Sequence, residues 1–324
     1  MEQVNLRKAA IIGCGFVGAA SAFTLMQSEF FSEMVLVDVN RDRAEGEALD
    51  IGHGMPLARP MRIYAGDYSD IADAAMIILT AGANQKPGET RLDLVKKNTA
   101  IFKDILSDIA KLDYQGILLV VANPVDILTY TAVKYSGLPA NRVIGSGTVL
   151  DTARLKYLLA DHLQVDSRSV HAFIVWEHGD SEFAVWSSAN VSGVPLLDFC
   201  DMRGHFNHAE AMRDIEDSVR HSAYEIIRRK QATYYGIAMA VRRICEAVIR
   251  DEKSVLSVSS LIHDVYGIDD ITLSMPAIVG AKGIETLVPI RLNDDEQEKL
   301  KKSAGVLKNI IREALSIKGT EKNA

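Results

Sequence analysis

The stretch Gly13-Cys14-Gly15-Phe16-Val17-Gly18 decides how this chain is interpreted. It follows the apolar run Lys8 to Ile12 and opens the apolar segment Phe16 to Met26, so a strand is predicted before it and a helix after it. Asp38 ends the next apolar run, about twenty residues beyond Gly18. A glycine-rich turn between strand and helix, with an acidic residue at this distance, is the pattern of a dinucleotide-binding βαβ unit.

Each member of this pattern has a physical role in binding a dinucleotide. Gly13 permits the tight turn, Gly15 lets the backbone approach the pyrophosphate at the positive end of the helix, and Gly18 allows close packing of helix on strand. Asp38 accepts hydrogen bonds from the ribose hydroxyls and repels a 2′-phosphate. The sequence therefore predicts NAD rather than NADP as the cofactor, although Arg41 lies close to Asp38 along the chain.

Length and composition exclude several classes of protein. The chain has 324 residues, 48% of them hydrophobic, which is enough for two domains with their own cores. Its net charge of −7 disfavours a nucleic-acid partner, because phosphate binding favours a basic face. The longest apolar runs, such as Ile117 to Ala122, are far shorter than the ~20 residues of a membrane helix. We therefore expect a cytoplasmic protein without membrane contact, and we expect its three cysteines to be reduced thiols.

Short apolar runs alternate with helical patterns through the first 146 residues, which is typical of parallel βαβ units. The predicted fold is α/β, with a Rossmann-type doubly wound parallel sheet that binds NAD in residues 1–146 and a catalytic, substrate-binding α+β domain in residues 147–324. The six predicted strands are nearly continuous in apolar residues, as strands buried on both faces should be. They are Lys8 to Ile12, Met34 to Asp38, Met61 to Ala65, Ala75 to Thr80, Ile117 to Ala122 and Arg142 to Ser146.

The pattern changes after residue 146. An amphipathic helix is predicted from Thr148 to His162, a long helical region from Asn207 to Arg250 and a closing helix from Asp294 to Ile317. Further strands are predicted at Val170 to Val175, Phe183 to Ser188, Val255 to Leu261, Thr272 to Val279 and Glu285 to Ile290. This mixture indicates a second domain.

The segment Trp176-Glu177-His178-Gly179-Asp180-Ser181-Glu182 contains a histidine, the side chain best suited to moving a proton near neutral pH. Oxidation of an alcohol by hydride removal needs such a group for the hydroxyl proton. By itself, a histidine more often has a structural role than a catalytic one. Asp151 and Arg154 are three residues apart on the predicted helix and share a face. They form either a local ion pair, or a carboxylate that binds the imidazole and a planar fork for a substrate carboxylate.

Six motifs, in this order, resemble the bacterial lactate dehydrogenases of the lactate/malate dehydrogenase family over almost the whole chain. They are the glycine stretch with Asp38, the segment from Thr80 to Arg91, Asn123-Pro124-Val125-Asp126, Leu150-Asp151-Thr152-Ala153-Arg154, Glu177-His178-Gly179-Asp180 and Ala232-Thr233-Tyr234-Tyr235-Gly236. The resemblance implies an NAD-dependent oxidoreductase that reduces pyruvate to L-lactate with NADH, the final step of fermentative glycolysis.

The resemblance also implies roles for individual residues. His178 is the acid and base, Asp151 orients it, and Arg91 on a closing loop polarises the substrate carbonyl. No metal belongs to this set, and a cis peptide bond is implied before Pro124. Substrate contacts are implied for Gln85, Arg91, Asn123, Arg154 and Thr233. Cofactor contacts are implied for Gly13, Gly15, Phe16, Val17, Gly18, Asp38, Arg43, Gly82, Ala83, Asn98, Asn123 and Ile237.

Gln85 bears on the choice of substrate. The family's malate dehydrogenases carry an arginine at this position, which pairs with a second carboxylate, whereas the neutral amide of Gln85 favours pyruvate over oxaloacetate. The alternatives are a malate or other L-2-hydroxy acid dehydrogenase and, outside the enzymes, a non-catalytic NAD-binding sensor. A sensor has no need of a proton carrier beside a carboxylate clamp. Trp176 and Gln231 depart from the family, which usually has glycine at both positions.

Two further residues match a regulatory site of the family. His171 matches the histidine with which bacterial members bind fructose 1,6-bisphosphate at a two-fold axis between subunits, and Lys156 replaces that site's arginine. Like charges that meet across the axis would be neutralised by a bisphosphate. We therefore expect a homotetramer with fructose 1,6-bisphosphate as a candidate effector. His205 and His208 are only three residues apart, but no cluster of further ligands in the sequence supports a metal site there.

Overall fold

The computed structural model describes residues 4–83, 88–179 and 181–315, with the backbone but not the side chain of Arg91. Gln85, Asp180 and the last two residues of the predicted closing helix lie outside the described residues. Within these ranges, no helix combines the length and the apolar character needed to cross a membrane.

The first half of the chain alternates strands and helices: β1 (Asn5–Ile12), α1 (Phe16–Met26), β2 (Glu33–Val37), α2 (Arg41–His53), β3 (Arg62–Ala65), β4 (Ala74–Leu79), α3 (Arg91–Ala110), β5 (Ile117–Val120), α4 (Val125–Tyr135) and β6 (Val143–Gly145). The six strands are parallel and lie in the order β6-β5-β4-β1-β2-β3. The order reverses between β1 and β4, which is where ligands of doubly wound sheets bind, at the carboxyl ends of the strands. The predicted fold class is confirmed, and all six predicted strands are present.

The second half consists of α5 (Val149–Leu163), β7 (Val170–His171), β8 (Ile174–Val175), β9 (Phe183–Ala184), β10 (Asn190–Val191), β11 (Val194–Pro195), α6 (Leu196–Met202), α7 (His208–Lys230), α8 (Tyr235–Ile249), β12 (Ser254–Ile262), β13 (Ile271–Gly280), β14 (Gly283–Leu287) and α9 (Asp294–Leu315). The stretch predicted to be extended from Val170 to Val175 contains two short strands, β7 and β8, rather than one continuous strand. Only the first two residues of the predicted strand Phe183 to Ser188 are extended, and a 3-10 turn ends it. Burial in loops produces the same apolar runs as burial in strands.

The predicted helical region from Asn207 to Arg250 is two helices, because the chain turns between Lys230 and Tyr235. Gln231 ends α7 in the left-handed region, with φ of +71°, and its N–H donates to the carbonyl of Ile227 at 2.7 Å. Glycine adopts this conformation most readily. The turn carries Thr233, so its position matters for the site.

Strands β12, β13 and β14 extend the parallel sheet to nine strands. β12 pairs antiparallel with β13 and joins β6 where Ser259 lies opposite Gly145. Gly147 then turns the chain into α5 with φ of +53°, and a Cβ there would lie 2.5 Å from the backbone nitrogen of Ser259. The close approach of β12 thus fixes where α5 begins.

Apolar clusters cover both faces of the parallel sheet, and every residue of β4 is buried. A third cluster includes residues of β13 and α9, and Trp176 belongs to it. The indole of Trp176 is 0% exposed and packs near the rings of Phe183 and Tyr266, with centroids at 5.5 and 6.3 Å. It therefore fills the core and does not line an open pocket.

Candidate active site

The glycine turn after β1 has the shape that a dinucleotide requires. Gly13 has φ of +103°, and a Cβ there would lie 2.4 Å from the backbone nitrogen of Ala81. A Cβ on Gly18 would lie 1.9 Å from the carbonyl oxygen of Gly13, so helix α1 packs tightly on the turn. At Gly15 a Cβ would meet nothing within 4 Å, which leaves open space beside the first turn of α1, where Phe16 and Val17 lie. This cradle fits a pyrophosphate at a helix N-terminus.

Asp38 lies beside this turn at the end of β2. Its carboxylate accepts hydrogen bonds from the N–H groups of Cys14 at 2.6 Å and Asn40 at 2.9 Å. Arg43 donates from Nε to the carbonyl of Cys14 at 2.7 Å, while the nearby Arg41 pairs with Glu45 and Asp67. The carboxylate therefore faces the dinucleotide turn, and the charge of Arg41 is directed to other partners.

A buried amide joins the other predicted cofactor residues. Asn98 on α3 is 2% exposed, accepts from the N–H of Ala83 at 2.8 Å and donates to the carbonyl of Asn123 at 2.9 Å. The loops after β4, with Gly82, and after β5 are thereby held together at the carboxyl edge of the sheet. The peptide bond between Asn123 and Pro124 is cis.

The loop of Thr233 lies beside the glycine turn. The ring of Tyr234, the next residue, stacks on that of Phe16 with centroids 5.6 Å apart. Ile237 on α8 packs against the apolar cluster on one face of the sheet. The structure therefore places the predicted substrate residue Thr233 on the same side of the molecule as the predicted dinucleotide residues.

His178, Asp151 and Arg154 meet where the loop after β8 lies against α5. The Nδ1 of His178 lies 2.7 Å from Oδ2 of Asp151, and Nη1 of Arg154 donates to Oδ1 of the same carboxylate at 2.7 Å. Asp151 is 1% exposed. Asp151 therefore makes both of the contacts that the sequence offered as alternatives, an ion pair with Arg154 and a bond to the imidazole of His178.

The electrostatics of this group favour a protonated imidazole. Burial lowers the pKa of His178, but the carboxylates of Asp151 and Glu182 outweigh it and hold the pKa well above its ordinary value. Burial raises the pKa of Asp151, and the positive charges of His178 and Arg154 reverse this and bring it below its ordinary value. The result is a proton donor that stays charged at neutral pH, with its Nδ1 held against Asp151.

A second buried aspartate holds the backbone of the histidine loop. Asp126, in the first turn of α4, accepts from the N–H of His178 at 2.8 Å and from the hydroxyl of Ser259 at 2.6 Å. Burial raises its pKa to about 7, although both hydrogen bonds act to lower it. The segment that carries Asn123 is therefore tied to the loop that carries His178.

Sequence reasoning assigned no role to Asp126 or to Glu182. Glu182 lies four residues after His178, is 4% exposed at its side chain and has Oε2 3.5 Å from Nδ1 of His178. Its spacing from His178 was the available signal, but only the fold of the loop shows the contact. The ligand-type atoms of Asp151, His178 and Glu182 all lie within 4.8 Å of one another.

The remaining predicted residues are not brought together by the described structure. Gln85 and the side chain of Arg91 lie outside the described residues. Lys156 on α5 is half-buried, and burial lowers its pKa, whereas His171 is exposed on β7. A single chain does not display a two-fold axis, so the regulatory site stays a prediction.

Comparison with known proteins identifies the family. Residues 7–145 match the model of the lactate/malate dehydrogenase NAD binding domain, and residues 148–318 match that of the family's alpha/beta C-terminal domain. An L-lactate dehydrogenase of Acetivibrio thermocellus is 53% identical over 95% of this chain and 97% of its own, and one of Priestia megaterium is 52% identical over 93% and 95%. A crystal structure of the minor L-lactate dehydrogenase from Enterococcus mundtii, in a ligands-bound form, superimposes with a TM-score of 0.92 at 42% identity over 96% and 98% of the two chains.

The chain belongs to the lactate/malate dehydrogenase family, and is an NAD-dependent oxidoreductase. The predicted cofactor, NAD, is confirmed by the family's NAD binding domain in its first half. The glycine cradle and Asp38 are the features of the structure that fit this cofactor.

Proposed function

We propose that the chain catalyses the reversible reduction of pyruvate to L-lactate with NADH, the last step of fermentative glycolysis. The observation that carries the proposal is the contact of His178 with the buried Asp151, beside Arg154. Pyruvate reduction needs a proton donor and a clamp for one carboxylate, and this group offers both. The relatives named L-lactate dehydrogenase, about half identical over nearly the full chain, support the same reaction.

In the proposed reaction, NADH supplies the hydride, and the protein's own residues handle the proton and the charges. His178 donates the proton that becomes the hydroxyl proton of lactate, and accepts it again in the reverse direction. Asp151 stabilises the imidazolium. After His178 has given its proton to the substrate, Asp151 still accepts the hydrogen bond from Nδ1–H. Arg154 has donors beyond the one bound to Asp151, and these bind the substrate carboxylate.

Further roles rest on the resemblance and remain proposals. Arg91 polarises the pyruvate carbonyl as the oxyanion forms, and Asn123 and Thr233 line the substrate site. The division into an NAD-binding domain and a catalytic domain is placed near residue 146. A cytoplasmic location is proposed from the chemistry, because glycolysis supplies both NADH and pyruvate there.

The proposed preference for pyruvate depends on Gln85. A neutral amide leaves the second carboxylate of oxaloacetate without a countercharge. The test is NADH oxidation assayed in parallel with pyruvate, oxaloacetate and 2-oxoisocaproate, in the unaltered chain, in Gln85→Arg and in the neutral control Gln85→Asn. We expect pyruvate to be the best substrate, and only the arginine variant to move preference toward oxaloacetate. A higher kcat/KM for oxaloacetate in the unaltered chain would make it a malate dehydrogenase instead.

We also propose a homotetramer that fructose 1,6-bisphosphate activates through Lys156 and His171. The ammonium group of Lys156 is partly buried, and no carboxylate among the described residues pairs with it. An anion bound there would stabilise its charge, which supports the site. The bisphosphate should lower the half-saturating pyruvate concentration, and Lys156→Ala should weaken this effect. Identical pyruvate curves with and without the bisphosphate, between mildly acidic and neutral pH, would show that the site is silent.

A further inference from the structure

Glu182 places a second carboxylate against the imidazole of His178. Its Oε2 lies 3.5 Å from Nδ1 and accepts the N–H of Gly179 at 3.1 Å. Its side chain is 4% exposed, so water solvates the charge poorly. A buried carboxylate without a cation is costly, and the described part of the chain gives this one no cation at its oxygens other than His178.

Nδ1 of His178 carries one proton and donates it in a short hydrogen bond to only one of the two carboxylates. Asp151 is nearer, at 2.7 Å, and its bond fixes the tautomer. Glu182 therefore acts on His178 through its charge. At 3.5 Å in a buried site, that charge favours the imidazolium over the neutral ring.

The other titratable and charged groups around the imidazole are compatible with such an effect. Arg154 is bound to Asp151 and offsets its charge, Asp126 faces the backbone N–H of His178 from α4, and Glu177 precedes the histidine in the loop. From α7, Arg220 donates to the backbone carbonyl of Glu182. With Arg154 paired to Asp151, Glu182 is the carboxylate left to balance a protonated His178.

We propose that Glu182 is a positioning residue that stabilises the protonated form of His178 and thereby extends pyruvate reduction to higher pH at the expense of lactate oxidation. The inference rests on the proposed function, since it assigns His178 the proton of that reaction. Stabilising the imidazolium favours pyruvate reduction, which requires the protonated ring, and disfavours lactate oxidation, which requires the neutral ring. Burial and the negative charge of Asp151 raise the pKa of Glu182 above its ordinary value, although the hydrogen bond and the charge of His178 act to lower it.

The test is Glu182→Gln, which removes the charge and keeps an oxygen for the N–H of Gly179. We measure kcat/KM for pyruvate reduction and for lactate oxidation between pH 5.5 and 9.5. Reduction should fall about tenfold at pH 9 and stay within about twofold at pH 6, because a nearby charge alters protonation by this order. Lactate oxidation near pH 7 should rise several-fold, which a merely structural defect would not produce.

Glu177→Gln is the matched control, because it removes a neighbouring buried carboxylate whose Oε2 accepts from the hydroxyl of Ser181. Its pH profiles should keep the shape of the unaltered protein's. If Glu182→Gln does not fold, Glu182→Met, which has similar length and no charge, serves in its place.

A titration of ¹³C-labelled histidine by NMR separates failure of this inference from failure of the proposed function. The signal of His178 is assigned by its loss in His178→Gln, and it should deprotonate at lower pH in Glu182→Gln whether or not pyruvate is turned over. Superimposable titrations and pH profiles would overturn the role of Glu182 and leave the function intact. Absence of pyruvate-dependent NADH oxidation in the unaltered protein would refute the function instead.

Discussion

Replacing Asp151 with asparagine tests the pair at the centre of the site. The carboxylate is 1% exposed and bonds both Nδ1 of His178 and Nη1 of Arg154 at 2.7 Å. A hydrogen bond to a charged group contributes about 1.5 to 3 kcal/mol. Because this carboxylate is buried against the charged form of His178, we take the upper value of about 3 kcal/mol, which is a fall of about 150-fold in kcat/KM for pyruvate.

The deficit in kcat/KM of the Asp151→Asn variant should depend on pH in a definite direction. Asp151 raises the pKa of His178, so the variant loses the imidazolium at lower pH and its deficit should be larger at pH 8 than at pH 6. The charged pair also stabilises the fold below the ordinary pKa of histidine, and this contribution is lost as pH rises through the raised pKa.

The assay is steady-state NADH oxidation at both pH values, with NADH binding followed by fluorescence. NADH affinity should be nearly unchanged. Asp166→Asn is the control, since Asp166 forms an exposed pair with Arg168. A deficit below tenfold that does not vary with pH would refute the assignment of Asp151 as the partner of the acid.

Three further predictions concern stability and cofactor choice. Gln231→Gly should raise the free energy of unfolding by about 1 kcal/mol in urea titrations, because Gln231 is exposed and has φ of +71°. Asp126, with its pKa raised to about 7, stays protonated in the folded chain while it ionises in the unfolded chain, so it lowers stability by up to about 4 kcal/mol between pH 4 and 7. The stability difference between Asp126→Asn and the unaltered chain should change across that window, and a constant difference would contradict this. Asp38→Ser should narrow the lead of NADH over NADPH in kcat/KM, and equal use of both by the unaltered chain would contradict the role of Asp38.

The parallel half of the fold was predictable because its signals are local. Strands buried on both faces are short apolar runs, and the glycine turn marks the junction of β1 and α1. Strand β12 pairs with β6, which lies far earlier in the sequence, so the junction through Ser259 and Gly145 was not predicted. The turn at Gln231 was missed as well, because glutamine gives no signal of a left-handed conformation.

The candidate site divides in the same way. Asp151 and Arg154 could be placed on one face from helical spacing alone, whereas the contact of Asp151 with His178 was one of two alternatives between which helical spacing does not decide. The contacts of Asp126 and Glu182 with the histidine depend on how the loop after β8 folds between α4 and α5. Patterns that are local in the sequence do not show these contacts.

Single-turnover hydride transfer in His178→Ala tests the central claim most directly. Enzyme saturated with NADH is mixed with excess pyruvate, and NADH absorbance is followed by stopped flow, with NADH affinity measured separately. If His178 is the proton donor, NADH binds with nearly unaltered affinity and hydride transfer falls by at least about 100-fold, the usual contribution of general acid catalysis. Hydride transfer at the rate of the unaltered protein would contradict the assignment of His178, and with it the proposed mechanism.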